Sequence, residues 1–208
     1  MVQITVISKG QPQTFAIHKS FICDASPYFH AAFNSWDLFV ERQTQHMNIS
    51  FTTPEIFGLF QNWIYYNKIT DFNNKFPSIP QMVELWILAA KFRTPALQNL
   101  AIRGLFGKSF CDGSDGCPDA LKSFNYIYHR TSPGDALRRL FIDIVISRRM
   151  PDQALTDLLD NHWDDIPKEL LKDLIVVLKK SQQAAQAVNS LLPLKLGDYL
   201  VSEQRGQD

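Results

Sequence analysis

The stretch "FAIHKSFICDASPYFHAAF", residues 15–33, changes its periodicity within a few residues, and that change restricts the fold more than any other feature. Upstream, "VQITVI" puts Val2, Ile4 and Val6 on one side of an extended chain, the period of two of a half-buried strand. "KGQPQ" supplies a turn, and "TFAI" returns as the second half of a hairpin. The signals then become helical at once. Ser26-Pro27 opens a helix, because the hydroxyl caps free N–H groups while proline's fixed φ and missing donor suit the first helical position.

The same device recurs at Thr53-Pro54, Thr94-Pro95 and Ser132-Pro133. Between the first two, "HMNISF" alternates weakly and reads as a third strand. From Thr53 onward, Ile56, Phe57, Phe60, Ile64 and Trp63 form one apolar helical face. "YNKITDFNNKFPSIP" reads as a loop holding a short edge strand. "MVELWILAAKF" is apolar enough for a central, nearly enclosed helix, with "PALQNLAIRGLF" as its antiparallel partner. The Gly- and Asp-rich "GKSFCDGSDGCPD" joins two units.

Beyond it the pattern is helical only. Leu137, Leu140, Phe141, Ile144 and Val145 fall at spacings of three and four, as do Leu155, Leu158, Leu159 and Trp163, and then Leu170, Leu171, Leu174, Ile175 and Leu178. The polar last dozen residues are expected to fray. The expected architecture is α+β: a unit over residues 1–107, a linker over 108–118 and an all-helical extension over 119–208.

Twenty-one basic residues balance twenty-one acidic ones, so no overall pull toward nucleic acid or anionic membrane is implied. The basic pairs in "SRRM" and at Lys179-Lys180 read as solvated faces. No run of about 18 apolar residues is present to span a bilayer. "MVQITVIS" lacks the features of a signal peptide, and three cysteines fit a reducing compartment, so the expectation is an intracellular protein.

His18, Lys19, Cys23 and Asp24 fall within one short span and raise the question of a nucleophilic site. A thiol nucleophile needs a base within hydrogen-bond reach and a third group to orient it. Cys23 sits instead in "FICDAS", whose Phe21 and Ile22 are expected to face inward, and no oxyanion-hole glycines stand beside it. A structural joint is the expected role, with a Cys23 thiol hydrolase as the remote alternative. Cys111 and Cys117 lack zinc-ligand spacing, and Ser123 stands where a calcium loop needs its bidentate Glu. Phosphate loops, G-x-S-x-G and H-E-x-x-H are absent, and no cofactor is expected.

Taken together, these pieces resemble a known family. "FAIHKSFICDASPYFHAAF", with His18-Lys19 followed by Ser26 and Phe29, is similar to the strand-to-helix signature of BTB/POZ domains. "TTPEIFGLFQNWIYYNKI" and "LWILAAKFRTPALQNLAI" resemble that family's next helices, in order and spacing, over residues 2–106. The Asn-rich, Trp-containing character is most similar to the BTB proteins of filamentous fungi. The resemblance implies a small, mostly antiparallel sheet flanked by a helical cluster, and a function in protein–protein association: self-pairing into a homodimer and, in many members, recruitment of a cullin-3 ubiquitin ligase. It implies that Lys19 belongs to a charged pocket at the dimer face. The acidic partner of that lysine normally lies just ahead of the first strand, where this sequence has no Asp.

In cullin-binding members an apolar-x-Glu motif precedes the third strand at a fixed distance. Phe39-Val40-Glu41 has that form and that distance to Met47-Asn48-Ile49, in a loop about two residues longer than in the animal adaptors. Phe39 would fill a partner groove and Glu41 would direct a hydrogen bond. The other reading is a scaffold or transcription-linked BTB protein with no ligase role, dependent on an external partner to reach nucleic acid.

Overall fold

The computed structural model describes residues 1–34, 40–71, 73–107, 116–146, 156, 160, 166–187 and 195–203. They fall into two compact units, Met1–Ala101 with Ser202–Asp208, and Ile102–Val201.

In the first unit, β1 (Val2–Ser8) and β2 (Gln11–Ile17) form an antiparallel hairpin. Its turn is only Lys9-Gly10, both left-handed at φ 49° and 76°, as a two-residue primed turn requires. The turn is tighter than "KGQPQ" suggests, so Pro12 lies inside β2. It is tolerated because β2 is an edge strand and Pro12 opposes Ile7 at a position that gives β1 no N–H bond. The third strand, β3 (His46–Ile49), pairs with β1 in parallel, giving the order β2-β1-β3. Parallel pairing needs a crossover, and α1 (Lys19–Ala25), α2 (Pro27–Asn34) and α3 (Val40–Thr44) make it.

Val2, Ile4, Val6, Phe15 and Ile17 point toward the helices and are buried. The other face is polar; there the Thr5 hydroxyl meets the Thr14 hydroxyl and His46 Nε2, each at 2.9 Å. Against the inner face lies α4 (Pro54–Tyr66), capped by Thr53 Oγ1, which accepts the Ile56 N–H at 3.4 Å. Ile56, Phe57, Leu59 and Phe60 form its buried face, while Trp63 and Ile64 are half-buried. Asn67 closes the helix in the left-handed conformation, φ 54°.

No strand occurs among the described residues 67–78. The Asp71 carboxylate instead collects the N–H groups of Asn73 and Lys75, each at 2.8 Å, which folds the segment into a turn. The next helix, α5 (Ile79–Lys91), starts with a reciprocal capping box between Ser78 and Gln81. It is enclosed, as its composition predicts: Met82, Val83, Leu85, Trp86, Leu88 and Ala89 are all buried. At the start of α6 (Pro95–Gly107) Thr94 does not cap; its hydroxyl turns back and donates to the Ala89 carbonyl at 3.1 Å.

The centre of this unit is aromatic. Phe92 has no exposed surface, and its ring lies 4.6 Å from Phe29, 4.9 Å from Phe60 and 5.4 Å from Tyr28 between centroids.

In the second unit, α7 (Gly116–Arg130), α8 (Ala136–Ile146) and α9 (Lys168–Ala187) pack together, followed by a short 3-10 turn at Leu196–Tyr199. Ser132-Pro133 does not open α8. Pro133-Gly134 forms a turn with Gly134 at φ 85°, the Asp135 carboxylate accepts the Ser132 N–H at 2.7 Å, and the helix starts at Ala136. Leu137, Leu140, Phe141 and Ile144 are buried as their spacing predicts, whereas Ile175 and Leu178 of α9 are exposed. Leu155, Leu158, Leu159, Trp163 and residues 108–115 of the expected linker lie outside the described residues. Residues 196–203 are held rather than frayed. The buried Tyr199 donates its hydroxyl to Asp143 at 2.8 Å within the second unit, and Glu203 accepts the Asn99 amide at 2.6 Å within the first.

Candidate interaction surface

The passage from hairpin to helices is built around His18 and Lys19. His18 occupies the N-cap position of α1 but makes no side-chain cap. Its backbone N–H donates to the Tyr65 hydroxyl at 3.1 Å, and the same hydroxyl shares a hydrogen bond with the ring Nδ1 at 2.7 Å. Tyr65 belongs to the last turn of α4, so this pair pins the β2–α1 corner to the end of α4. The Lys19 ammonium donates to the Phe33 carbonyl at 2.9 Å. It therefore neutralises the negative C-terminal end of α2.

Phe21 does not face inward. It is 48% exposed, while its neighbours Ile22 and Cys23 are buried. Consecutive helical residues point about 100° apart, so a two-turn helix with one inner face cannot enclose Phe21 and Cys23 together. The Phe21 ring packs 5.3 Å from His18 and 5.4 Å from Tyr65, and Tyr66, 70% exposed, continues the patch at 6.3 Å from Tyr65. A compact aromatic surface results. Neither Phe21 nor the tyrosine pair stood out as surface residues in the sequence, although adjacent tyrosines at a helix end cannot both reach a core.

Cys23 is a core residue with 6% of its surface exposed. Its thiol donates to the Phe29 carbonyl at 3.8 Å. Burial pushes the thiol up, against the opposing pull of the Asn34 hydrogen bond and the Lys19 charge. The imidazole Nδ1 of His18 is occupied by Tyr65. A thiol kept protonated is a poor nucleophile, so alkylation mapped by peptide mass should modify Cys23 in the folded protein at least tenfold more slowly than in the unfolded chain. Rates within a factor of two would revive the thiol-hydrolase alternative.

Ser26 and Phe29 are joint-forming core residues. The fully buried Ser26 hydroxyl donates to the Phe92 carbonyl at 2.6 Å and accepts the Phe29 N–H at 3.4 Å, capping α2 while tying it to the end of α5. Of the apolar-x-Glu motif, Phe39 lies outside the described residues. Val40 is 71% exposed and Glu41 is half-buried in the first turn of α3. Tyr28 is held above the usual phenol range by burial and, secondarily, by the Glu41 charge. Among the described residues no hydrogen bond joins Glu41 to His18; the Glu41 carbonyl accepts the Gln45 N–H at 2.8 Å, and the Gln45 carbonyl in turn accepts the Gln3 N–H of β1 at 2.9 Å.

Among the described residues there is no cluster of three metal-ligating side chains, and no helix is long and apolar enough to cross a membrane. The first unit thus combines a three-stranded β2-β1-β3 sheet, a helical cluster and an aromatic corner partly open to solvent. The model of the BTB/POZ domain family matches residues 2–105, half of the chain, and the chain belongs to that family. Domains of this family are protein–protein interaction modules, and proteins are the partners they imply. No curated protein matches the chain.

Proposed function

We propose that this is an intracellular, non-enzymatic BTB protein that self-associates through the aromatic corner of α1 and α4 and recruits a cullin-3 ubiquitin ligase through Phe39-Val40-Glu41. The interaction domain is taken as residues 1–107, the linker as 108–118, of which 116–118 already belong to the first turn of α7, and residues 119–208 as a helical extension that positions a substrate or braces the module. The observation that carries the reading is the ring cluster in which the exposed Phe21 and Tyr66 flank the half-buried Tyr65, itself held by hydrogen bonds to His18. Pre-ordered aromatics lose little entropy on docking and are the commonest anchors of protein interfaces.

Light scattering should give twice the chain mass for the wild type and the single chain mass for Phe21→Asp, whose exposed position spares the fold. A monomeric wild type would refute self-association. For the ligase contact, Phe39→Ala/Glu41→Ala should cut retention on immobilised cullin-3 at least tenfold, the loss of two directed contacts of about 1–2 kcal/mol or more. Equal retention would remove the motif and leave the scaffold reading.

A further inference from the structure

The outer edge of β2 borders a groove lined in part by Gln13 and Phe15. In a two-residue hairpin the closing pair, Ser8 and Gln11, exchanges both hydrogen bonds, and the pattern alternates from there. Gln13, Phe15 and Ile17 therefore bond to β1, whereas the N–H and C=O groups of Thr14 and Ala16 face outward. No described backbone group bonds to them, because β2 is the sheet's terminal strand.

Directly below this edge, on the helix side, lies a groove of about 520 Å³. Phe15 and Leu59 form its floor, and the loop at Phe76-Pro77 forms the far wall, with Phe76 59% exposed. Its charges are unequal: Glu55 and Asp71 line it with a single ammonium, Lys75, while Lys68 borders Asp71 from the adjoining pocket. Glu55 accepts one bond, from the Gln81 amide, and Asp71 uses Oδ1 for the N–H groups of Asn73 and Lys75. Each keeps its other carboxylate oxygen free of hydrogen bonds to the described residues.

We propose that this groove takes an extended segment of a partner protein as a fourth strand on β2, with alternate apolar side chains on Phe15 and Phe76 and a Lys or Arg directed at Glu55 and Asp71. An edge with outward N–H and C=O groups is complementary to a strand, and the unpaired negative charge selects a basic residue. Pro12 has no N–H, so the register is confined to Thr14 and Ala16, which limits edge-to-edge pairing of two copies. The proposal does not depend on the self-association reading, since it uses a different face.

The test is amide NMR of the full chain titrated with acetyl-Thr-Val-Thr-Lys-Thr-Val-Thr-amide, its Ile and Leu analogues, a composition-matched scramble and a Lys→Glu version. Saturable shifts and slowed exchange are expected at the Thr14 and Ala16 amides. The Lys→Glu peptide, and separately Glu55→Gln or Phe76→Ala in the protein, should each weaken binding about tenfold. Absence of saturable shifts for all three alternating peptides would overturn the proposal. So would equal binding of the scramble. Shifts at the same amides on concentrating the protein alone, with no further change on adding peptide, would mean that a second copy is the occupant and would overturn it as well.

Discussion

Phe92→Ala should destabilise the first unit by about 3–5 kcal/mol, the cost of emptying a fully buried aromatic site. Phe92 is the side chain on which the other helices converge, with the rings of Tyr28, Phe29, Phe51, Phe57 and Phe60 all within 6.3 Å of it between centroids. Those neighbours sit on α2, on α4 and in the segment before α4, so the cavity cannot close by moving one element. The Phe92 carbonyl is also the acceptor for Ser26. Any shift of the α5–α6 corner into the void therefore strains the α2 cap as well. Urea unfolding of wild type and variant, followed at amides of β1 and α4, measures the loss; a change below about 1 kcal/mol would mean that the aromatic cluster is not the centre of the unit.

Arg138→Ala should cost the second unit about 3 kcal/mol or more. This guanidinium is buried in the first turn of α8. It donates to the Tyr128 carbonyl at 2.7 Å, to the Thr131 hydroxyl at 2.9 Å and to the Thr131 carbonyl, closing the end of α7. Its carbon lies 4.3 Å over the Tyr128 ring, whose hydroxyl donates in turn to Asp173 of α9 at 2.9 Å. Removing the cation strands two carbonyls at a helix C-terminus, each costing about 1–3 kcal/mol, and takes away the charge that end favours. Arg138→Lys should recover part of the loss, because one ammonium cannot fork to all three oxygens. Urea midpoints followed at α7 and α8 amides would show the order wild type, Lys, Ala. An alanine variant as stable as wild type would refute the clamp.

The features legible in the sequence were local ones. The alternation of Val2, Ile4 and Val6 carried β1 and Thr53-Pro54 carried the start of α4, because each depends on neighbouring residues alone; His18-Lys19 marked the turn from sheet to helices only through its likeness to a family signature, since Tyr65 and the Phe33 carbonyl hold the pair there. The Ser78–Gln81 box was also present to be read, and it marks α5 three residues ahead of its apolar run. What escaped was set by partners that the local pattern does not name. Ser132-Pro133 has the form of a cap, yet Asp135 supplies the acceptor and moves the helix start. Arg138 sits in an apolar stripe where a charge reads as surface, and only the carbonyls at the end of α7 make its burial affordable. Tyr199 looks like part of a polar tail until Asp143 gives its hydroxyl an acceptor. Phe21 was misplaced because an apolar pair on a two-turn helix does not say which member wins the inner face.

Hydrogen–deuterium exchange of the full chain at low and high concentration tests most directly whether the corner held by His18 and Tyr65 is where a second copy docks. Concentration should slow exchange in residues 19–25 and 60–66. Identical rates at both concentrations, or protection confined to α7–α9, would contradict the account.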